Sequence, residues 1–129
     1  MKPTVFFVDD DTFLLDMYSL KFTKSGYEVK VSTSPDDALK KIREGFTPDI
    51  LLLDVVMPGM DGIELLGVIR KEKLLPNTVI IMLTNQSSSQ DIERAQNLHV
   101  DGYITKAATI PSEVLSKVDE IYKKIKSSK

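Results

Sequence analysis

Six side chains in this sequence have the types and the spacing to do chemistry together: the run Asp9-Asp10-Asp11, then Asp54, Thr84 and Lys106. Three or more carboxylates brought to one place repel unless a cation sits among them. An all-oxygen set with room for water suits Mg2+ better than zinc, with Mn2+ as an alternative. A hydroxyl and an ammonium facing the same spot supply a donor for one phosphoryl oxygen and a compact positive charge for another. An aspartate nucleophile, a divalent ion, a Thr and a Lys then form a site for phosphoryl transfer onto a carboxylate. Taken singly, each residue is ordinary. An acid pair before a helix caps it, a Thr at a strand end turns the chain, and a lone Lys lies on the surface. The chemistry requires a fold that gathers them.

The elements that would do so are legible along the chain. Residues 4–8 (Thr-Val-Phe-Phe-Val) are β-branched and aromatic and stop at the acid run, so they read as a buried strand ending in carboxylates. From 12 to about 24 apolar residues recur at helical spacing, with Phe13, Leu14, Met17 and Leu20 on one side, and Gly26 follows as a C-cap. Residues 28–32 alternate as a partly exposed strand. Ser34, Pro35 and the acids Asp36 and Asp37 then start a helix with Ala38, Leu39 and Ile42 inward and Gly45 at its end. Four aliphatics, residues 50–53, form a strand buried on both faces, and Asp54 stands where it runs out. Asp61-Gly62 opens a helix bearing Ile63, Leu66 and Ile69. Residues 78–83 form a fourth strand bounded by Thr84-Asn85. Ser88 and Asp91 have the spacing of a capping box for a helix through about Leu98, with Ile92 and Ala95 inward. Residues 103–105 make a short fifth strand ending at Lys106. A last helix, from about 111 to 125, carries the stripe Val114, Val118, Ile121 and Ile125 with Leu115 and Tyr122 beside it. Its basic tail from Lys123 onward reads as frayed.

Five strands alternating with five helices predict a doubly wound parallel sheet of order 2-1-3-4-5, a flavodoxin-like three-layer sandwich. The topological switch point then falls between the first and third strands. That puts the two acidic strand ends side by side, where open α/β sheets bind ligands.

Composition limits the alternatives. The 129 residues fit one domain, with an ordered core over about 4–125. A formal charge of −2, from 17 basic and 19 acidic side chains, suggests neither direct nucleic-acid binding nor a membrane surface. There is no cysteine, so no disulfide or thiolate chemistry is available. No apolar run approaches a membrane span, and the residues before Asp9 are too few for a signal peptide. A soluble, cytoplasmic protein is expected.

The acid pair in Val8-Asp9-Asp10, the run from Leu53-Asp54 through Met57-Pro58-Gly59-Met60-Asp61-Gly62, the Thr in Leu83-Thr84 and the segment Gly102-Tyr103-Ile104-Thr105-Lys106 together resemble the response-regulator receiver family over essentially the whole chain. The resemblance implies a phosphoacceptor of a two-component phosphorelay. In that reading, Asp54 takes a phosphoryl group from a phosphohistidine on a sensor histidine kinase or histidine phosphotransfer protein. It further implies Mg2+ held by Asp10, Asp54 and the backbone carbonyl of Val56, with Asp9 largely through water, and phosphoryl oxygens held by Thr84 and Lys106. Thr84 and Tyr103 would form the switch that changes the surface of the fourth helix, fifth strand and fifth helix, read by a downstream protein or effector domain. Phosphorylation-dependent pairing into a homodimer through the fourth and fifth helices is in keeping with the family.

The chain departs from the family pattern at several points. Ala107 follows Lys106 where the family usually has Pro joined by a cis peptide. A cis bond at a non-proline residue costs about 2.5–4 kcal/mol, which favours trans here. Val56, Asn85 and Gln86 stand where the lifetime of the phosphorylated state is tuned. An apolar Val56 cannot orient an attacking water, so slow hydrolysis is expected. His99, the one histidine, stands just past the fourth helix and reads as a C-cap with positive φ rather than as a phosphoryl donor. Asp11 reads as an N-terminal helix acid.

The runner-up is an enzyme, an aspartate-nucleophile phosphohydrolase using Asp9 and Asp11 as an Asp-x-Asp pair. Against it, Phe13 stands where that motif wants Thr or Val, Asp36-Asp37 precede rather than follow Thr84, and no cap domain is present. A flavin-binding module would want a Ser, Thr and Gly-rich first loop where three carboxylates stand. A docking module that has lost its chemistry would lack one of Asp54, Thr84 or Lys106, and none is lost.

Overall fold

The computed structural model describes residues 3–55, 57, 59–84, 89–105 and 110–127, without the side chains of residues 84 and 89–91. Five strands, β1 (Thr4–Val8), β2 (Glu28–Ser32), β3 (Ile50–Asp54), β4 (Val79–Thr84) and β5 (Gly102–Thr105), alternate with five helices. These are α1 (Thr12–Lys24), α2 (Pro35–Arg43), α3 (Gly62–Lys71), α4 (Ser89–Asn97) and α5 (Pro111–Ser127). All pairings are parallel and the order is β2-β1-β3-β4-β5. The predicted topology and its switch point are those observed.

Strand side chains alternate between the two faces, and each face has its own core. Phe6, Val8, Leu51, Leu53, Ile80 and Met82 pack against α2, α3 and α4. Val5, Phe7, Ile50, Leu52, Ile81 and Leu83 pack against α1 and α5. The central strands are apolar without alternation because both of their faces are covered.

Four helices end in the same way. After α1, the N–H of Gly26 bonds the Thr23 carbonyl and that of Tyr27 the Phe22 carbonyl, at 3.2 and 3.0 Å. This is a Schellman pair, with the Tyr27 and Phe22 rings in contact across it. The same two bonds recur at Gly45 and Phe46 after α2, at Lys73 and Leu74 after α3, and at His99 and Val100 after α4. The residue that turns the chain has φ of +95° at Gly26 and +109° at Gly45, but also 58° at Lys73 and 60° at His99. The positive φ expected of His99 is therefore present.

Three expectations are corrected. In α1 the buried face is Leu15, Tyr18 and Phe22, whereas Phe13 and Leu20 are 70% and 60% exposed. Apolar residues cover well over half of the helix circumference, so spacing alone does not fix which stripe meets the sheet. The basic tail is helical through Ser127, with Lys126 lying over the Tyr122 ring. β4 begins at Val79 and includes Thr84, one residue later at each end than expected. The expected capping role of Ser88 falls outside the described residues.

Candidate functional site

Val8 and Leu53 face each other in the β1–β3 register, and Asp9 and Asp54 are the next residues on the two strands. Adjacent strands stand about 4.8 Å apart, so the two carboxylates must share one place. They also share parity with Val5, Phe7, Ile50 and Leu52, which puts them on the α1/α5 side of the sheet. One carboxylate oxygen from each of Asp9, Asp10 and Asp54 lies within 4.8 Å of the others. Asp9 and Asp54 are buried and Asp10 is exposed, giving a cluster with a floor and an open mouth.

Local bonds hold the acid run in shape. An Asp9 carboxylate oxygen accepts the Asp11 N–H at 3.0 Å, and the Asp11 carboxylate accepts the Leu14 N–H at 3.2 Å. Asp11 is thus the N-cap of α1, as expected, and is turned away from the cluster by that duty. The Asp9 N–H extends the β1–β2 ladder by one bond to the Ser32 carbonyl. The buried Ser32 hydroxyl in turn donates to Asp37, which also takes the Lys41 ammonium at 2.7 Å. The bonds from Lys41 and Ser32 hold the Asp37 carboxyl below its usual range.

Beyond Asp54 the chain turns through Gly59, at φ +82°, into α3. The Gly62 N–H bonds the Val55 carbonyl at 2.8 Å. A Cβ on Gly62 would stand 2.0 Å from the Asp54 carbonyl oxygen, so only glycine lets α3 start this close to the end of β3. Asp61 caps α3 in a reciprocal box with Glu64, and the D-x-x-E spacing in the sequence is the signal that could have found it.

On β4, Leu83 is the register partner of Asp54, so the backbone brings Thr84 to the same end of the sheet on the neighbouring strand, paired with Thr105 of β5. Lys106 is next in sequence after Thr105. The sites expected at Val56, Asn85, Gln86 and Lys106, the Lys106–Ala107 bond and the Thr84 side chain lie outside the described residues. Tyr103, opposite Met82, packs into the core shared with α3 and α4, with its hydroxyl oxygen buried.

The electrostatics of the cluster are decisive. Two like charges ~4 Å apart near a protein surface repel by about 4 kcal/mol, and here three carboxylates meet with two of them buried. The donors are all oxygen. Opposite ligands of a hard ion bound at ~2.1 Å stand ~4.2 Å apart, so oxygens within 4.8 Å can share such an ion, with water completing the set. The residues present therefore fit a small divalent cation.

Comparison with known proteins decides the family. Residues 5–119 match the family described as response regulator receiver domain. The chain belongs to that family. The receiver is 33% identical over 96% of its length to the alkaline phosphatase synthesis transcriptional regulatory protein PhoP of Bacillus subtilis. It is 32% identical over 92% of its length to the DNA-binding response regulator MtrA of Mycobacterium tuberculosis. It spans about half the length of these curated relatives, 50% in each case. Among solved structures, a CheY-like receiver domain protein from Methanospirillum hungatei superposes with a TM-score of 0.89 at 29% identity, covering 100% of both chains. The chemotaxis protein CheY4 of Vibrio cholerae gives 0.85 at 26% identity, covering 94% of this receiver and 99% of that chain. No described helix of this receiver is long and apolar enough to cross a membrane.

Proposed function

We propose that this receiver is a phosphorelay switch in the cytoplasm whose phosphoacceptor is Asp54, loaded from a phosphohistidine on a sensor kinase or histidine phosphotransfer protein. The observation that carries the reading is the meeting of the Asp9, Asp10 and Asp54 carboxylates at the carboxyl ends of β1 and β3, in a chain of this family. An Asp54 carboxylate oxygen attacks phosphorus, the phosphorus–nitrogen bond to the donor imidazole breaks, and its electron pair returns to the imidazole nitrogen. Asp9, Asp10, Asp54 and the Val56 carbonyl would hold Mg2+, which when bound neutralises charge on the transferring group. Asp9 is placed by its bonds to Asp11 and Ser32, and Asp54 by the abutment of Gly62. Thr84 and Lys106 take the remaining phosphoryl oxygens, and Tyr103 follows the movement of Thr84, biasing the α4–β5–α5 surface toward a downstream effector. With an apolar residue at Val56, the acyl phosphate is long-lived.

Phosphoramidate tests this reading, because its phosphorus–nitrogen bond imitates that of phosphohistidine. Phosphorus NMR should show a protein-bound acyl phosphate that requires Mg2+ and is lost in Asp54→Asn. The phosphohydrolase alternative instead makes Asp9 the nucleophile, so a signal that survives Asp54→Asn and disappears in Asp9→Asn would establish it.

A further inference from the structure

The end of β2 beside the carboxylate cluster is fastened to α2 by side chains that the phosphoryl chemistry does not use. β2 is an edge strand, paired with β1 on one side of it. The last residue of such a strand is where local opening is easiest. Ser32 stands there and is nevertheless only 2% exposed. Its hydroxyl donates to an Asp37 carboxylate oxygen at 2.6 Å. An ammonium has three donors, and three oxygens surround that of Lys41. They are the same Asp37 oxygen at 2.7 Å, the Ser32 hydroxyl at 3.2 Å and the Val31 carbonyl at 3.3 Å.

Asp37 and Lys41 stand on a helix whose own place is fixed. Ser34 caps α2 by accepting the Asp37 N–H, and Ala38, Leu39 and Ile42 are buried in the core on that side of the sheet. The Ser32 carbonyl, in turn, accepts the Asp9 N–H at 3.1 Å, one residue past the end of β1. That bond sets the main chain from which the buried Asp9 carboxylate joins those of Asp10 and Asp54.

We propose that Ser32, Asp37 and Lys41 are positioning residues for the ion site. They clamp the end of β2 to α2, and the clamped Ser32 carbonyl holds Asp9 where its carboxylate can share a divalent cation. The inference rests on the reading of Asp9, Asp10 and Asp54 as that site. With 40% and 45% of the two side chains exposed, the Lys41–Asp37 ion pair by itself stabilises little. Its effect is to fix the hydroxyl of a buried residue.

Two readouts on the full chain test this: exchange of the Asp9 amide in metal-free protein, and Mg2+ affinity by calorimetric titration. Ser32→Ala changes no charge, and it should speed Asp9 exchange by roughly five- to tenfold. It should weaken Mg2+ binding by about two- to five-fold, less than the loss of a group bonded directly to a ligand carboxylate. Asp37→Ala should speed Asp9 exchange as much, and the double variant Ser32→Ala/Asp37→Ala no more than either alone. Lys41→Gln separates clamp from charge, because the two act with opposite signs. Loss of a positive charge by itself tightens cation binding, and Lys40→Gln, at the exposed neighbouring position, should leave Mg2+ affinity unchanged or slightly raised. Lys41→Gln should instead weaken Mg2+ binding and speed Asp9 exchange. The clamp is overturned if Ser32→Ala leaves either readout at its wild-type value or if Lys41→Gln binds Mg2+ as tightly as wild type or more so. It is overturned as well if Asp9 exchange rises only in step with global unfolding in urea, the sign of a merely structural role. If wild type shows no saturable Mg2+ binding, the ion site itself fails, and the metal-free exchange still decides whether the clamp holds Asp9.

Discussion

Gly62 and Asp54 are in backbone contact: a methyl group on the glycine would lie 2.0 Å from the Asp54 carbonyl oxygen and 3.2 Å from the Val55 Cα. No rotamer relieves such a clash, because both sides of it are main chain. The start of α3 and the end of β3 therefore form one unit, and the position of Asp54 depends on a residue with no side chain.

Gly62→Ala should accordingly lower stability by about 1–3 kcal/mol in urea unfolding and slow phosphorylation of Asp54 by more than that loss accounts for. Gly67, in the same helix, has nothing within 4 Å of the place a methyl group would occupy. Gly67→Ala should raise stability by about 0.5–1 kcal/mol and leave phosphorylation unchanged.

Crowded carboxylates set the response to divalent ions. Mg2+ held by the proposed cluster would bind only the folded protein, so thermal midpoints should rise with its concentration and fall back on chelation. Asp9→Asn and Asp54→Asn each relieve part of the repulsion within the cluster. Both should melt higher than wild type without metal, and both should respond less to Mg2+. A variant that melts lower without metal, or that keeps the full Mg2+ response, would remove that carboxylate from the ion site.

Burial foremost, then its hydrogen bond to Asp119, pushes the Tyr27 hydroxyl well above its usual value near 10. The folded protein thus holds this proton more tightly than the unfolded chain. The contribution is complete below pH ~10 and is lost as pH rises above it. Stability measured from pH 9 to 11 should fall more steeply in wild type than in Tyr27→Phe.

His99 occupies the left-handed region at φ 60° with a full side chain. His99→Gly keeps the carbonyl to which Arg70 donates and removes the Cβ strain, so unfolding midpoints should rise by the equivalent of about 0.5–1 kcal/mol.

Much of this is visible in the residues. The apolar runs at Val5–Val8 and Ile50–Leu53, each closed by an acid, predict both the buried strands and the pairing of their ends, because only helices on both faces allow such runs. The roles of His99 and Asp11 follow from the backbone demands of helix ends, which are local. What sequence could not supply was phase and approach. In α1, Phe13, Met17 and Leu20 repeat as well as Leu15, Tyr18 and Phe22 do, and only the docked sheet distinguishes them. The Gly62 contact and the bonds from Arg70 to the Leu98 and His99 carbonyls join segments distant in sequence, and no periodicity announces them.

Intact mass after incubation with phosphoramidate, with and without Mg2+, is the most direct test of Asp54 as phosphoacceptor. Wild type, Asp54→Ala and Asp9→Ala should be compared. A single phosphoryl adduct that requires Mg2+ and is absent from Asp54→Ala is the predicted result. An adduct that persists in Asp54→Ala and is lost in Asp9→Ala, or no adduct in any sample, would contradict it.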